Sequence, residues 1–165
     1  MQKATQQLPE IKLVGITART NNAAEMSQDR AKIGSTIQKY MSQAIPNSIP
    51  HRATPGKTFC VYTEYESDYT GDYTYLIGEE VTSFDAVPEG LTTLIIPDQH
   101  YIKFTDGPGA MPAVCINMWN KIWAMTPQTL GGDRTYVADF EIYDERAHDY
   151  QNTTLDIFIG IKNKS

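Results

Sequence analysis

Basic residues are scarce in this chain. Lys and Arg number 14 against 20 Asp and Glu, a net charge of −6 over 165 residues. A protein that grips nucleic acid replaces phosphate counterions with a basic face, so the balance predicts no direct nucleic-acid binding. Cysteine is almost absent. Cys60 and Cys115 are the only two, which fits reduced core thiols better than a disulfide framework. No apolar run approaches the roughly 18 residues of a membrane span. The opening MQKATQQLPE has no apolar stretch of the kind a secretory signal carries. The expectation is a cytoplasmic protein without membrane contact. Catalytic signatures are missing too: there is no GxSxG elbow, no HExxH and no Cys–His nucleophile pattern. His51, His100 and His148 stand in separate segments, without metal-ligand spacing. No cofactor and no metal are expected.

What remains is an ordinary globular composition, 41% hydrophobic and 21% charged, which excludes disordered, collagen-like and coiled-coil chains. The length predicts a single domain over residues 1–165. Tyrosine is the commonest aromatic, at 10 against 5 Phe and 2 Trp. Its strand propensity explains part of that count. A pocket lined with amphipathic rings would explain the rest.

Hydrophobic periodicity orders the chain. Residues 10–20 read as a first strand. Asn22 to Glu25 resembles a capping box opening one amphipathic helix that carries Met26, Ile33, Ile37, Tyr40 and Ala44 and ends before Pro46. Residues 57–66 and 73–81 form a hairpin. Residues 91–105 are two strand pieces bent at Pro97-Asp98, and Asp106-Gly-Pro-Gly109 then breaks the chain. A second helix follows, with Pro112 in its first turn. Its apolar stripe (Met111, Val114, Cys115, Met118, Trp119, Ile122, Trp123, Met125) is wide enough to predict a largely buried helix. Strands at 135–144 and 154–162 close the chain.

The order strand, helix, strand, strand occurs twice, and the halves echo each other. Tyr65-Glu66 matches Tyr143-Asp144, and Leu76-Ile77-Gly78 matches Phe158-Ile159-Gly160. The fold expected is α+β: two pseudo-symmetric modules, at about 10–84 and 90–162, joined in an antiparallel sheet with helices on one face. The seam between them is the natural place for a ligand groove.

Strand alternation sorts the candidates. Tyr136, Ala138, Phe140 and Ile142 share the more apolar face, expected to pack on the helices. Val137, Asp139, Glu141 and Tyr143 share the mixed face. In the last strand Leu155, Ile157, Ile159 and Ile161 point one way, and Phe158 is placed on the other, mixed face. Glu141, flanked by Tyr143 and Phe158, is either a solvated acid on an open sheet face or a carboxylate at the bottom of an aromatic groove. In the second case a cationic ligand would offset its burial, with cation–π attraction from the rings. Trp119 and Trp123, one helical turn apart, are either core residues or a wall of that groove. Tyr65, the counterpart of Tyr143, joins the candidate ligand-binding set.

The runs YLIGEEV, VPEGLTTLIIPDQHYIKF and GPGAMPAVCINMWNKIWAM, together with PEIKLVGITART at the start and DFEIYDERAHD and LDIFIGIK at the end, resemble the GyrI-like effector-binding domain. This is the ligand-sensing module of AraC-type and MerR-type multidrug regulators. The resemblance spans nearly the whole chain and implies a central groove for amphipathic, often cationic and aromatic molecules. The family's functional glutamate falls on Glu141, a family aromatic on Tyr143, and the helix tryptophan near Trp123. Some ten residues precede the first strand and none follow the last, so no DNA-reading segment is expected and a stand-alone binder is the preferred reading. Two alternatives come with the family. One is a hydrolase of reactive electrophiles using Glu141 as base; the other is a protein-interaction module of the gyrase-inhibitor type, its partner unspecified.

Overall fold

The structure, a computed structural model, describes residues 1–163. Eight strands form one antiparallel sheet: β1 (Gln2–Leu8), β2 (Ile11–Thr20), β3 (Thr58–Thr63), β4 (Tyr73–Glu80), β5 (Thr92–Ile96), β6 (Gln99–Gly109), β7 (Ala138–Tyr143) and β8 (Thr153–Ile161). Their order across the sheet is β1-β6-β8-β7-β3-β4-β2-β5. The order is symmetric about the β7–β3 ladder, with β8 and β4, β6 and β2, and β1 and β5 in matching places. The helices are α1 (Asn22–Glu25), α2 (Ile33–Ser42), α3 (Ala113–Trp123) and α4 (Pro127–Leu130), with two short 3₁₀ turns. The fold is α+β, as the sequence implied.

Chain connectivity forces this sheet to curl. Only Pro9 and Glu10 separate β1, at one edge, from β2, next to the other edge, and Pro97-Asp98 likewise joins β5 to β6. In a flat sheet β1 and β2 would lie about 29 Å apart, six strand spacings. Three residues span at most about 11 Å, so the two edges must approach one another. The concave side is filled by Ile11, Leu13, Phe59, Val61, Leu76, Ile96, Tyr101, Phe140 and Phe158. On the convex side α2 packs over Val14, Ile16, Cys60 and Ile77, and α3 over Ile102, Leu155, Ile157 and Ile159.

Register corrects the face assignment made from alternation. Phe140 pairs with Phe158 and Glu141 with Ile157, and directly paired residues share a face. The Phe140 face is therefore the concave core. The helices cover the other face, the one that carries Glu141. Phe158 does not flank Glu141; it stacks on Phe140 at 4.8 Å on the opposite side of the sheet.

Four further expectations change. The first helix is two. Asn21, not Asn22, caps α1, its side chain accepting from the Ala24 amide at 2.7 Å. Glu25 accepts from the backbone N–H groups of Lys32 (2.8 Å) and Ile33 (3.1 Å) and so closes the start of α2. Met26, placed on the apolar stripe by periodicity, is 89% exposed. α3 is one-sided and not largely buried: Val114, Met118, Trp119 and Ile122 face inward, while Ile116 and Trp123 are exposed. β6 runs through Asp106-Gly-Pro-Gly109, absorbing it as an irregularity between Asp106 and Gly109 in its ladder with β8. β1 was not expected at all. It is almost wholly exposed and held by its backbone ladder to β6, so it leaves no alternating apolar signal to read.

Candidate functional site

The two central strands bring the candidate acid to the seam. Cys60 of β3 lies opposite Glu141 of β7, under the junction of the α2 and α3 clusters; Tyr62 and Tyr143 pack against both. Glu141 is only 4% exposed. Its Oε2 accepts from the Tyr62 hydroxyl at 2.7 Å and the Trp119 indole N–H at 2.8 Å. Its Oε1 accepts from the Tyr143 hydroxyl at 2.6 Å. A buried carboxylate costs several kcal/mol unless compensated, and three hydrogen bonds to an ionised acceptor each contribute about 1.5–3 kcal/mol. All three donors are neutral. Among the described residues no Lys, Arg or His lies within ion-pair distance of Glu141.

Two residues earlier on the same face, Asp139 makes the contrast. It is fully buried, and its Oδ2 pairs with Arg134 Nη2 at 2.6 Å and accepts from the Tyr65 hydroxyl at 2.6 Å. Its Oδ1 accepts from the Gly160 amide at 2.8 Å. Arg134 in turn lies over the Tyr136 ring at 4.4 Å. One acid of β7 thus has its cation built in, and the other has none.

Rings wall the site. Tyr62 meets Trp119, Tyr73 and Tyr75 edge-on at 5.2, 5.5 and 5.5 Å, and Trp123 lies 5.9 Å from Trp119. Between Tyr62, Tyr65, Tyr69, Tyr73, Trp119 and Trp123, with Arg134 on one side held by Asp139, a cleft of about 20 Å³ remains, room for about one water. Where the sequence predicts a groove, the rings pack closely against one another and the seam is shut. Asn22 ties its outer wall, donating to the Tyr69 carbonyl at 2.9 Å and accepting from the Tyr73 hydroxyl at 3.0 Å.

Of the residues singled out from the sequence, Glu141, Tyr143 and Trp119 meet in direct hydrogen bonds. Trp123 and Tyr65 line the cleft without touching the carboxylate, and Phe158 lies on the other face. Tyr62 was missed, although it makes one of the three bonds. The signal that locates it is the β3–β7 register, which one strand alone does not reveal. Asp139 had been placed on the correct face but not in the cluster.

Burial first, and then the charge of Glu141, push the Tyr62 and Tyr143 phenols well above the ordinary tyrosine range. The same two causes raise the Cys60 and Cys115 thiols, so both cysteines remain protonated and are poor nucleophiles. Among the described residues no group of three or more His, Cys, Asp or Glu side chains is placed to hold a metal ion. The tyrosine shifts carry a sign for stability. Below the unfolded-state pKa of about 10 the phenols are protonated in both states and their contribution is fully present. Above it the unfolded chain releases protons that the folded chain keeps, and stability falls. The urea midpoint is expected to drop steadily from about pH 9 to about pH 11. Tyr62→Phe should flatten that slope relative to its own pH 9 value; an unchanged slope would show that Tyr62 ionises normally in the fold.

An antiparallel sheet of this strand order with helices packed on one face is the fold of GyrI-like effector-binding domains. The chain belongs to the family of integron-associated effector-binding proteins, whose sequence model matches residues 6–161. It is 26% identical over 151 residues, 92% of each chain, to YobU of Bacillus subtilis, a candidate transcriptional regulator. The solved integron cassette protein VCH_CASS2 from the mobile metagenome of Vibrio cholerae superimposes with a TM-score of 0.78 at 28% identity, covering 97% of this chain and 95% of that one. SAV2435, solved bound to tetraphenylphosphonium, shares the fold with a TM-score of 0.77 at 19% identity, covering 99% of this chain and 95% of that one. The protein is a ligand-binding domain of the GyrI-like class. No helix among the described residues is long and apolar enough to cross a membrane.

Proposed function

We propose that this domain binds amphipathic, aromatic monocations at the β3–β7 seam, with Glu141 as their counter-ion. The observation that carries this reading is a 4%-exposed carboxylate ringed by Tyr62, Trp119 and Tyr143, with neutral donors only. A bound cation would supply the charge the fold withholds, and each ring face it meets would add about 0.5–2 kcal/mol. The present cleft is closed, so a ligand enters by displacing rings. Trp123, 42% exposed, and Tyr69, 42% exposed, are the least constrained of them.

Hydrolysis would require Glu141 to take a proton from water. Both its oxygens accept from fixed donors, an arrangement suited to holding a negative charge. The test is a pair of isosteres of opposite sign. Tetraphenylphosphonium is expected to change the fluorescence of Trp119 and Trp123 saturably, and tetraphenylborate is not. Equal binding of the two would remove the carboxylate from the role assigned to it.

A further inference from the structure

The concave face of the sheet carries a second, larger opening. Where the β1–β2 connection crosses between the sheet edges, a cavity of about 330 Å³ lies over the faces of β3, β7 and β8 turned away from Glu141. Its volume reaches the lower end of the range for small-molecule sites, and the aromatic seam does not. The floor is apolar, built from Phe59, Phe140 and Phe158, with ring centroids 5.4 Å apart in the first pair and 4.8 Å in the second.

The rim is charged, and its charges divide into two kinds. Asp144 and Asp156 are committed to Arg146, at 2.8 and 2.7 Å. The other four are not. Lys57 sits above the Phe59 ring at 5.5 Å and Lys103 above the Phe158 ring at 5.8 Å. Lys103 shares Asp156 with Arg146, at 4.0 Å. Among the described residues Lys57, Glu10 and Glu80 form no ion pair. Lys57, Glu10 and Glu80, without ion-pair partners, and Lys103, whose single partner is shared with Arg146, therefore surround one aromatic floor.

That pattern selects a ligand class. An apolar molecule in this cavity would cover part of four charged side chains and match none of them. A molecule of one sign would leave the opposite pair dehydrated without a partner, which is costly for ions. A molecule bearing both signs on a flat apolar body satisfies the whole rim. We propose that this cavity is a second ligand site, for zwitterions of about the size of an aromatic amino acid, with the ring on the phenylalanine floor, the carboxylate toward Lys57 and Lys103 and the ammonium toward Glu10 and Glu80. The site is independent of the cation site, although Phe140 and Ile142 of its lining alternate along β7 with Glu141 and Tyr143.

The test titrates the full chain, with isoleucine methyl groups labelled for NMR, with phenylalanine, phenethylamine and 3-phenylpropionate, which share a ring and differ in charge. Saturable shifts of the Ile11 and Ile142 methyls are expected with phenylalanine, at concentrations about tenfold below those for either single-charge analogue. Lys57→Gln and Glu80→Gln are each expected to weaken phenylalanine binding about tenfold while leaving tetraphenylphosphonium binding intact, and Glu141→Gln is expected to leave the phenylalanine shifts intact. No saturable shift with any probe, equal affinity for all three, or loss of the shifts in Glu141→Gln would overturn the assignment. Failure of tetraphenylphosphonium to bind would sink the cation reading alone.

Discussion

Glu141→Gln is expected to weaken tetraphenylphosphonium binding by about 30- to 100-fold, the equivalent of about 2–3 kcal/mol for one charge-assisted contact. The substitution removes the charge and keeps the shape. The side-chain carbonyl of glutamine still accepts from Tyr62 and Trp119, and its amide group can donate to the Tyr143 hydroxyl, which has a second partner at the Cys115 sulfur, 3.4 Å away. The fold loses a buried charge that no cation balances and exchanges one hydrogen bond for another, so its melting temperature is expected to hold or rise slightly. Calorimetric titration and thermal unfolding of the same two proteins separate these effects. Unchanged affinity would mean that the rings alone hold the cation. Lost affinity together with a collapsed melting temperature would mean that Glu141 is a structural acid.

Asp139→Ala is expected to act the other way, on stability first. It strands the Arg134 side chain, 10% exposed, without its carboxylate, and it takes the acceptor from Tyr65 and from the Gly160 amide. Breaking a buried ion pair by removing one partner costs about 3–5 kcal/mol. In a domain of this size that lowers the melting temperature by roughly 10 °C or more. A double variant, Arg134→Met with Asp139→Leu, should recover much of the loss, because the penalty lies in the unpaired charge. A single variant as stable as the parent would show that the pair contributes little, and a double variant no better than the single would place the loss in the Tyr65 and Gly160 bonds.

These two acids show what one strand's sequence can convey. Alternation along β7 places Asp139, Glu141 and Tyr143 on one face, and they are there. It says nothing of which face meets the helices, because Phe140 and Ile142 look like the buried side and both sides are buried. A sheet that curls has a core on its concave face as well as under its helices. The apolar count of a strand then stops marking the helix-covered side. Phe158 was misplaced for the same reason: its face is set by pairing with Phe140, and the register between β7 and β8 depends on the length and shape of the 144–152 connection. Periodicity also merged α1 and α2, since Met26 fits the spacing. What separates them is Glu25, whose carboxylate reaches forward to the amides that begin α2.

By itself the sequence determined the class of molecule, the strand order except at β1, the family, and the placing of Glu141 and Tyr143 on one face of one strand. Those are local properties: propensity, alternation, turn residues and an ordered set of runs. It merged α1 with α2 and did not show α4. The tertiary structure alone decided that Tyr62 completes the cluster, that Asp139 is already neutralised by Arg134 while Glu141 is not, that the aromatic seam is shut, and that the back of the sheet holds the larger cavity. Each of these depends on contacts between residues far apart in the chain, such as the 79 positions between Tyr62 and Glu141. Such contacts are fixed by register and curvature, which the whole sheet sets cooperatively and no single segment encodes.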